Sequence, residues 1–459
     1  MRTLDQILTK KDYSRKTPAS LFYKDSPLWQ KLLAIGCVFF LSVAGLGEWK
    51  VLNGMLGGLP KAITLGVIGL AMLYTLFYPD EKRLRELWKP TLLYMSLMVA
   101  LFFWSMVIWI KSFATVSSMI RSCSKLVFQS IAILTAVALV YLFREKAIEL
   151  FTISICITNG AIMLLCIPEY GVGASIQSLI TCLVTFGDAV GYARQLEIHD
   201  LTFVFGQMIL YYAVFAPRTT RQEKRKRWRY LLLCCWFFLV GMKRIAIPAV
   251  VLFILIALLL RKRKVPSWFY PAVGVCCILF FLAFLYGVRY GIISRLLNSV
   301  GVDMMGRDYL WSMANPYYEF SVTYLGHGFE YVDTIIGQWY NAGLINHPYP
   351  FHNDILKVFV EVGFPGFLLW SGIQYVLTPL FWQRYADQET TLLYLSELGY
   401  MTVTYLTDNT AFYFWSTMAL RLVTFAYAME RKKPPEPKVW MPDSRQEMRD
   451  RIRILMKEV

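Results

Sequence analysis

Charge is scarce in this 459-residue chain: Asp, Glu, Lys and Arg make up 17% of it, against about 25% in an ordinary soluble domain. With aromatics at 16%, that scarcity excludes a disordered chain, a coiled coil and a nucleic-acid module. The nine cysteines form no C-x-x-C pair and mostly sit inside apolar runs, so they imply neither a disulfide framework nor a zinc site. The chain has no Walker loop, no carboxylate-rich D-x-D sugar-nucleotide motif and no metal-ligand constellation. A cleavable signal peptide is not evident either. The first apolar run begins near Lys31 without a clear small-residue cleavage site, and is expected to be retained as the first span.

What is present is apolar surface, 57% of the residues, above the ~45–50% of a soluble domain. This predicts an all-α polytopic membrane protein. A span needs roughly 20 mostly apolar residues, and twelve runs qualify: 31–48, 60–78, 91–110, 126–143, 149–167, 200–216, 230–242, 245–260, 268–286, 355–381, 391–409 and 411–429. The seventh and eighth are short. With the N-terminus cytoplasmic, 34 of the 47 basic residues fall in inside segments, as the positive-inside rule requires, and both termini are then cytoplasmic.

The domain layout that follows is a cytoplasmic segment 1–30, a transmembrane domain 31–430 and a cytoplasmic tail 431–459. Two long extracytoplasmic segments interrupt the spans, 168–199 and 287–354, the larger one before the tenth span. The first contains Ala174–Phe186, an apolar stretch too brief to cross and expected to be interfacial or re-entrant. In the tail, Ser444–Val459 has the pattern of an amphipathic helix.

All four histidines (His199, His327, His347, His352) fall on the expected outer side. The basic pair Lys243-Arg244 lies between the seventh and eighth spans, against the positive-inside rule, which points to an anionic partner there or to snorkelling toward headgroups. Arg194 and Arg307 lie in the two long outer segments, and three outer arginines could face one polyanion, since guanidinium forks match phosphate oxygens and stay charged. Glu361 is one helical turn beyond Lys357, so it either pairs with that lysine or faces substrate. Asp408-Asn409 could meet sugar hydroxyls or simply end a helix. Glu397 and Arg421, the charges within the last two spans, are expected at matching depths and to pair.

Four ordered pieces then carry a family resemblance: Gly306-Arg307-Asp308-Tyr309-Leu310-Trp311; Gly326-His327-Gly328; His352-Asn353-Asp354; and Glu361-Val362-Gly363-Phe364-Pro365-Gly366. Together they resemble the signature of the O-antigen ligase and Wzy-type polysaccharide polymerase superfamily. Met242-Lys243-Arg244-Ile245-Ala246 resembles that family's S-R-G-A turn, with Lys for Ser and Ile for Gly, and Arg194 before His199-Asp200 looks like its first outer arginine.

The resemblance implies a metal- and cofactor-independent inverting glycosyltransferase of the bacterial cytoplasmic membrane, with its active site outside. The donor would be an undecaprenyl-pyrophosphate-linked oligosaccharide, polymerised into capsular, exo- or O-antigen polysaccharide. Membrane lipids, a chain-length regulator and a flippase of the same pathway are implied as partners, and nucleic acid is not. On this reading Arg307 and Arg194 hold pyrophosphate, Arg244 and Lys243 support them, His352 is the acceptor base or orienter, and Asn353 and Glu361 contact substrate. A ligase moving finished glycan to a different acceptor would share these motifs. A transporter or flippase is disfavoured, because no internal repeat is visible and the polar residues crowd the outer side.

Overall fold

In a computed structural model of the chain, residues 28–49, 51–52, 58–112, 116–185, 189–301, 304, 306–348 and 350–431 are described. Among them there is no strand. The elements are α1 (Leu28–Leu46), α2 (Leu59–Phe77), α3 (Glu81–Ser112), α4 (Val116–Phe143), α5 (Lys146–Tyr170), α6 (Val172–Thr185), α7 (Tyr192–Gln195), α8 (His199–Leu210), α9 (Arg221–Val240), α10 (Ala246–Arg261), α11 (Phe269–Arg289), α12 (Ile292–Ser299), α13 (Arg307–Ala314), α14 (Tyr331–Asn341), α15 (Asp354–Gly372), α16 (Thr378–Tyr385), α17 (Gln388–Tyr405) and α18 (Phe414–Arg431). Five-residue π turns, Tyr211–Phe215 and Ile373–Leu377, extend α8 and join α15 to α16.

Each of the twelve apolar runs forms a helix, but only seven helices of the described residues are long and apolar enough to cross a membrane. These are α1 to α5, α11 and the continuous rod Asp354–Tyr385. The others fall short for local reasons: α10 has 16 residues, and α9 begins with the charged stretch Arg221–Arg229.

Burial separates an inner set of helices from a peripheral set. Nearly every residue of α8 and α18 is buried, whereas α1, α2, α10 and α11 turn large apolar side chains outward, among them Phe39, Leu76, Leu259 and Leu279. A helix apolar all round needs either protein or lipid on every face; the inner ones have protein, the peripheral ones lipid.

The 168–199 segment holds α6, whose 14 residues agree with a stretch too brief to span, and the short α7. Gly171, at φ 76°, ends α5 and lets α6 start at once. The 287–354 segment carries three short helices, α12, α13 and α14. The amphipathic helix expected at Ser444–Val459 and residues 1–27 lie outside the described residues.

Candidate functional site

The beginnings of α2, α4, α8, α15 and α18 meet the end of α1 at one end of the bundle, together with the 287–354 segment. Two cavities open there. The larger, about 1080 Å³, is walled by Glu48, Lys61, Arg121, Lys125, Arg194 and Asp200, with further groups from the Glu330, Pro350 and Phe412 loops. The smaller, about 530 Å³, is walled by Gly306, Arg307, Tyr309, Leu344 and Asn346. His352 lines both. Arg194 lines the larger cavity and Arg307 the smaller, so the two flank His352 from either side.

His352 is fixed by what surrounds it. Its backbone is left-handed, φ 52°, a conformation uncommon outside glycine. The carbonyl of the preceding residue, Phe351, accepts a hydrogen bond from the Trp311 indole (3.3 Å), which gives the motif tryptophan a positioning task. On the other side, the Asn353 side chain accepts from Leu356 N at 3.0 Å and starts α15. Asn353 is thus a helix cap, fully buried and lining neither cavity.

Nδ1 of His352 lies 3.5 Å from Asp408 Oδ1. Asp408 Oδ2 is 3.8 Å from Lys243 Nζ, which donates to Glu197 (2.7 Å) and lies 2.8 Å from His199 Nδ1. Burial alone would raise the Asp408 carboxyl, but the His352 imidazole and the Lys243 ammonium outweigh it and hold it down to about 2, so it is ionised near neutrality. Asp408 is aimed by the end of α17, where its N–H donates to Thr404 O at 2.7 Å. Lys243 follows Met242, another left-handed residue (φ 51°). This turn delivers the lysine to the carboxylates and leaves Arg244 exposed, outside both cavity linings.

Much of the remaining motif is architectural. Gly363 sits at φ 66° inside α15 and breaks its hydrogen-bond ladder. Each freed group finds a partner, as burial requires. The Tyr324 hydroxyl donates to Val360 O (2.7 Å), His327 N and Gly328 N donate to Glu361 O (3.0 and 2.7 Å), the Trp104 indole donates to Val362 O (2.7 Å), and Phe364 N donates to Tyr324 O (2.8 Å). A Cβ on Gly363 would stand 2.2 Å from Leu325 C, and one on Gly328 2.1 Å from Trp109 Nε1. The glycines of both motif pieces let the 287–354 backbone dock onto the kink.

Glu361 is fully buried and lines neither cavity; its Oε1 accepts from Val332 N (3.2 Å) and lies 3.9 Å from Lys357 Nζ. Lys357 also meets Asp333 (2.7 Å) and Glu330 (3.4 Å), and Lys125 meets Glu330 (2.6 Å), so an ion network clamps α14 to α4 and α15. His327 stacks on Tyr331 at 4.1 Å and bonds the Tyr317 carbonyl. Glu397 and Arg421 make no ion-pair contact: Arg421 lies over the Tyr94 ring at 4.8 Å, and both Glu397 oxygens lack a hydrogen-bond partner among the described residues.

Sequence reading placed neither Arg121 nor Lys125 in the site, and left Lys61 as an outer span end. The available signal was three cations at the starts of two neighbouring apolar helices, Lys61 in α2 and Arg121 and Lys125 in α4.

Comparison with known proteins agrees with the motif resemblance. Residues 230–371 match the family model for O-antigen ligase, a class of glycosyltransferase-like membrane enzymes that covers O-antigen ligases and related polymerases. No curated protein matches the chain.

Proposed function

We propose that this membrane protein polymerises lipid-linked oligosaccharide repeat units on the extracytoplasmic face of the bacterial cytoplasmic membrane, with a polyprenyl-pyrophosphate-linked glycan as donor and a second lipid-linked repeat as acceptor. The observation that carries the reading is the position of His352 on the wall common to two cavities, one lined by Arg307 and the other by Arg121 and Arg194. Two cavities of mixed polar and apolar lining that meet at one imidazole suit a donor and an acceptor that are chemically alike.

The chemistry is a single displacement. An acceptor hydroxyl attacks the anomeric carbon as the bond from that carbon to the pyrophosphate oxygen breaks. The pyrophosphate leaves with the electron pair, and the configuration inverts. The hydroxyl proton must be accepted as the new bond forms, a contribution typically of ~10²–10⁴-fold. With Nδ1 of His352 turned to Asp408, Nε2 is left for that proton, and the ionised carboxylate stabilises the imidazolium produced. Asp354 is a poor alternative base: it is buried, and its carboxylate accepts from Ala411 N at 2.7 Å. Arginines supply the countercharge for the leaving group.

The purified protein in proteoliposomes, given one lipid-linked repeat unit and no other acceptor, should produce a ladder of products, and His352→Gln should not. Product that appears only when a different acceptor lipid is added would replace this reading with a ligase. No glycan transfer to any acceptor would remove the transferase reading altogether.

A further inference from the structure

The larger cavity presents four cationic side chains (Lys61, Arg121, Lys125, Arg194) and four carboxylates (Glu48, Glu197, Asp200, Glu330), so by count it is neutral. Pairing changes that balance. Glu197 is bound to Lys243 (2.7 Å) and Glu330 to Lys125 (2.6 Å), with Lys357 beyond it. Asp200 accepts from Trp415 N, Ser416 N and Ser416 Oγ (2.8, 2.9 and 2.7 Å), and Glu48 accepts from the Trp415 indole at 3.2 Å. Lys61 lies over the Phe128 ring at 4.6 Å. Lys61, Arg121 and Arg194 remain, all three exposed and without a carboxylate partner among the described residues, and of these only the two arginines carry a guanidinium fork. They lie in separate elements, α4 and α7. Both arginines open on one cavity of about 1080 Å³, slightly above the usual volume of a ligand pocket, so one ligand in it meets both walls.

We propose that Arg121 is the partner of Arg194 in holding a pyrophosphate, and that Arg307 serves the neighbouring cavity. The assignment rests on the lipid-linked donor proposed above and adds a residue to its binding site. Two guanidinium groups match the charge and the paired oxygens of a pyrophosphate, and two forks discriminate it from a monophosphate. The bland alternative for an exposed arginine at the start of a membrane helix is snorkelling to the phosphate of any lipid headgroup, which is the same chemistry from another source.

The test uses full-length protein in nanodiscs of zwitterionic lipid, titrated with undecaprenyl pyrophosphate or undecaprenyl monophosphate and followed by intrinsic tryptophan fluorescence, to which Trp49 on the cavity wall contributes. Loss of charged hydrogen bonds predicts that Arg121→Gln weakens pyrophosphate binding ~30-fold, with Arg121→Lys in between and monophosphate affinity changed far less. Arg194→Gln should match Arg121→Gln, whereas Arg307→Gln should stay within ~3-fold of wild type. Arg121→Lys, which keeps the charge, guards against loss of fold, as does a melting temperature for each variant. Pyrophosphate affinity of Arg121→Gln within ~3-fold of wild type overturns the proposal. So does an equal loss for both lipids, which would mark a headgroup contact, and so does a loss in Arg307→Gln as large as in Arg194→Gln. Binding is read without glycan transfer, so a wild-type protein that binds through these arginines but makes no polymer leaves this assignment standing and removes only the transferase reading.

Discussion

Asp408→Asn isolates the carboxylate behind His352 and changes little else, because Lys243 keeps Glu197 at 2.7 Å. The contact between Nδ1 and the carboxylate is 3.5 Å, so the attraction for an imidazolium is about 1.2 kcal/mol at the dielectric of water and about 4.7 kcal/mol at an effective value of 20. These bounds correspond to roughly 8-fold and roughly 3000-fold in rate. The His352 and Asp408 side chains are 25% and 10% exposed, which places the pair between the limits, and we expect a fall in kcat of roughly 10²-fold. The charge acts on a proton acquired only in the transition state, so KM should hardly move. Chain extension by proteoliposomes, with products resolved by length and rates taken at several substrate concentrations, separates the two constants. A kcat within about threefold of wild type would refute the dyad, and a rise in KM at constant kcat would make Asp408 a sugar ligand instead.

Two glycine substitutions should differ in cost. Gly306→Ala meets no heavy atom within 4 Å and bears only its left-handed backbone (φ 78°), about 1–2 kcal/mol. Gly328→Ala, at φ 96°, adds a collision with Trp109 and should undock the 287–354 segment, seen as a much larger loss of melting temperature; equal losses would mean that the docking is not tight. Lys357→Met strips a cation from Asp333, Glu330 and Glu361 and should cost about 3–5 kcal/mol, whereas an unchanged melting temperature would show that Lys125 alone holds the clamp. His327 titrates below its ordinary 6.5, because burial disfavours the imidazolium more than the Tyr317 carbonyl favours it. The folded state thus binds this proton less tightly than the unfolded one, so stability present above pH 6.5 is lost as pH falls through 6.5 toward the folded value. His327→Gln should flatten that acid loss in a melting-temperature series, and an unaltered slope would assign the loss to other groups.

The membrane character, the helical state of the twelve apolar runs and the motif-bearing segment were legible in the chain itself, because apolar run length is a local property, although only seven helices of the described residues are long and apolar enough to cross. His352 stood out through its neighbours in a short motif, and the fold sets it on the wall of both cavities. The glycines and Glu361 were visible as a pattern but not as a docking joint, since their task is defined by backbone groups of Tyr324, His327 and Gly328, more than 30 residues away in sequence.

Only the tertiary structure separated Arg307 from Arg194, joined Asp408 to His352 and brought Arg121 to the cavity wall. The physical reason is that the charge of a cavity is what remains after pairing. Glu197 is neutralised by Lys243 and Glu330 by Lys125, partners 46 residues apart in the first pair and far apart in the second. Composition counts those charges; only packing decides which of them are left to meet a ligand.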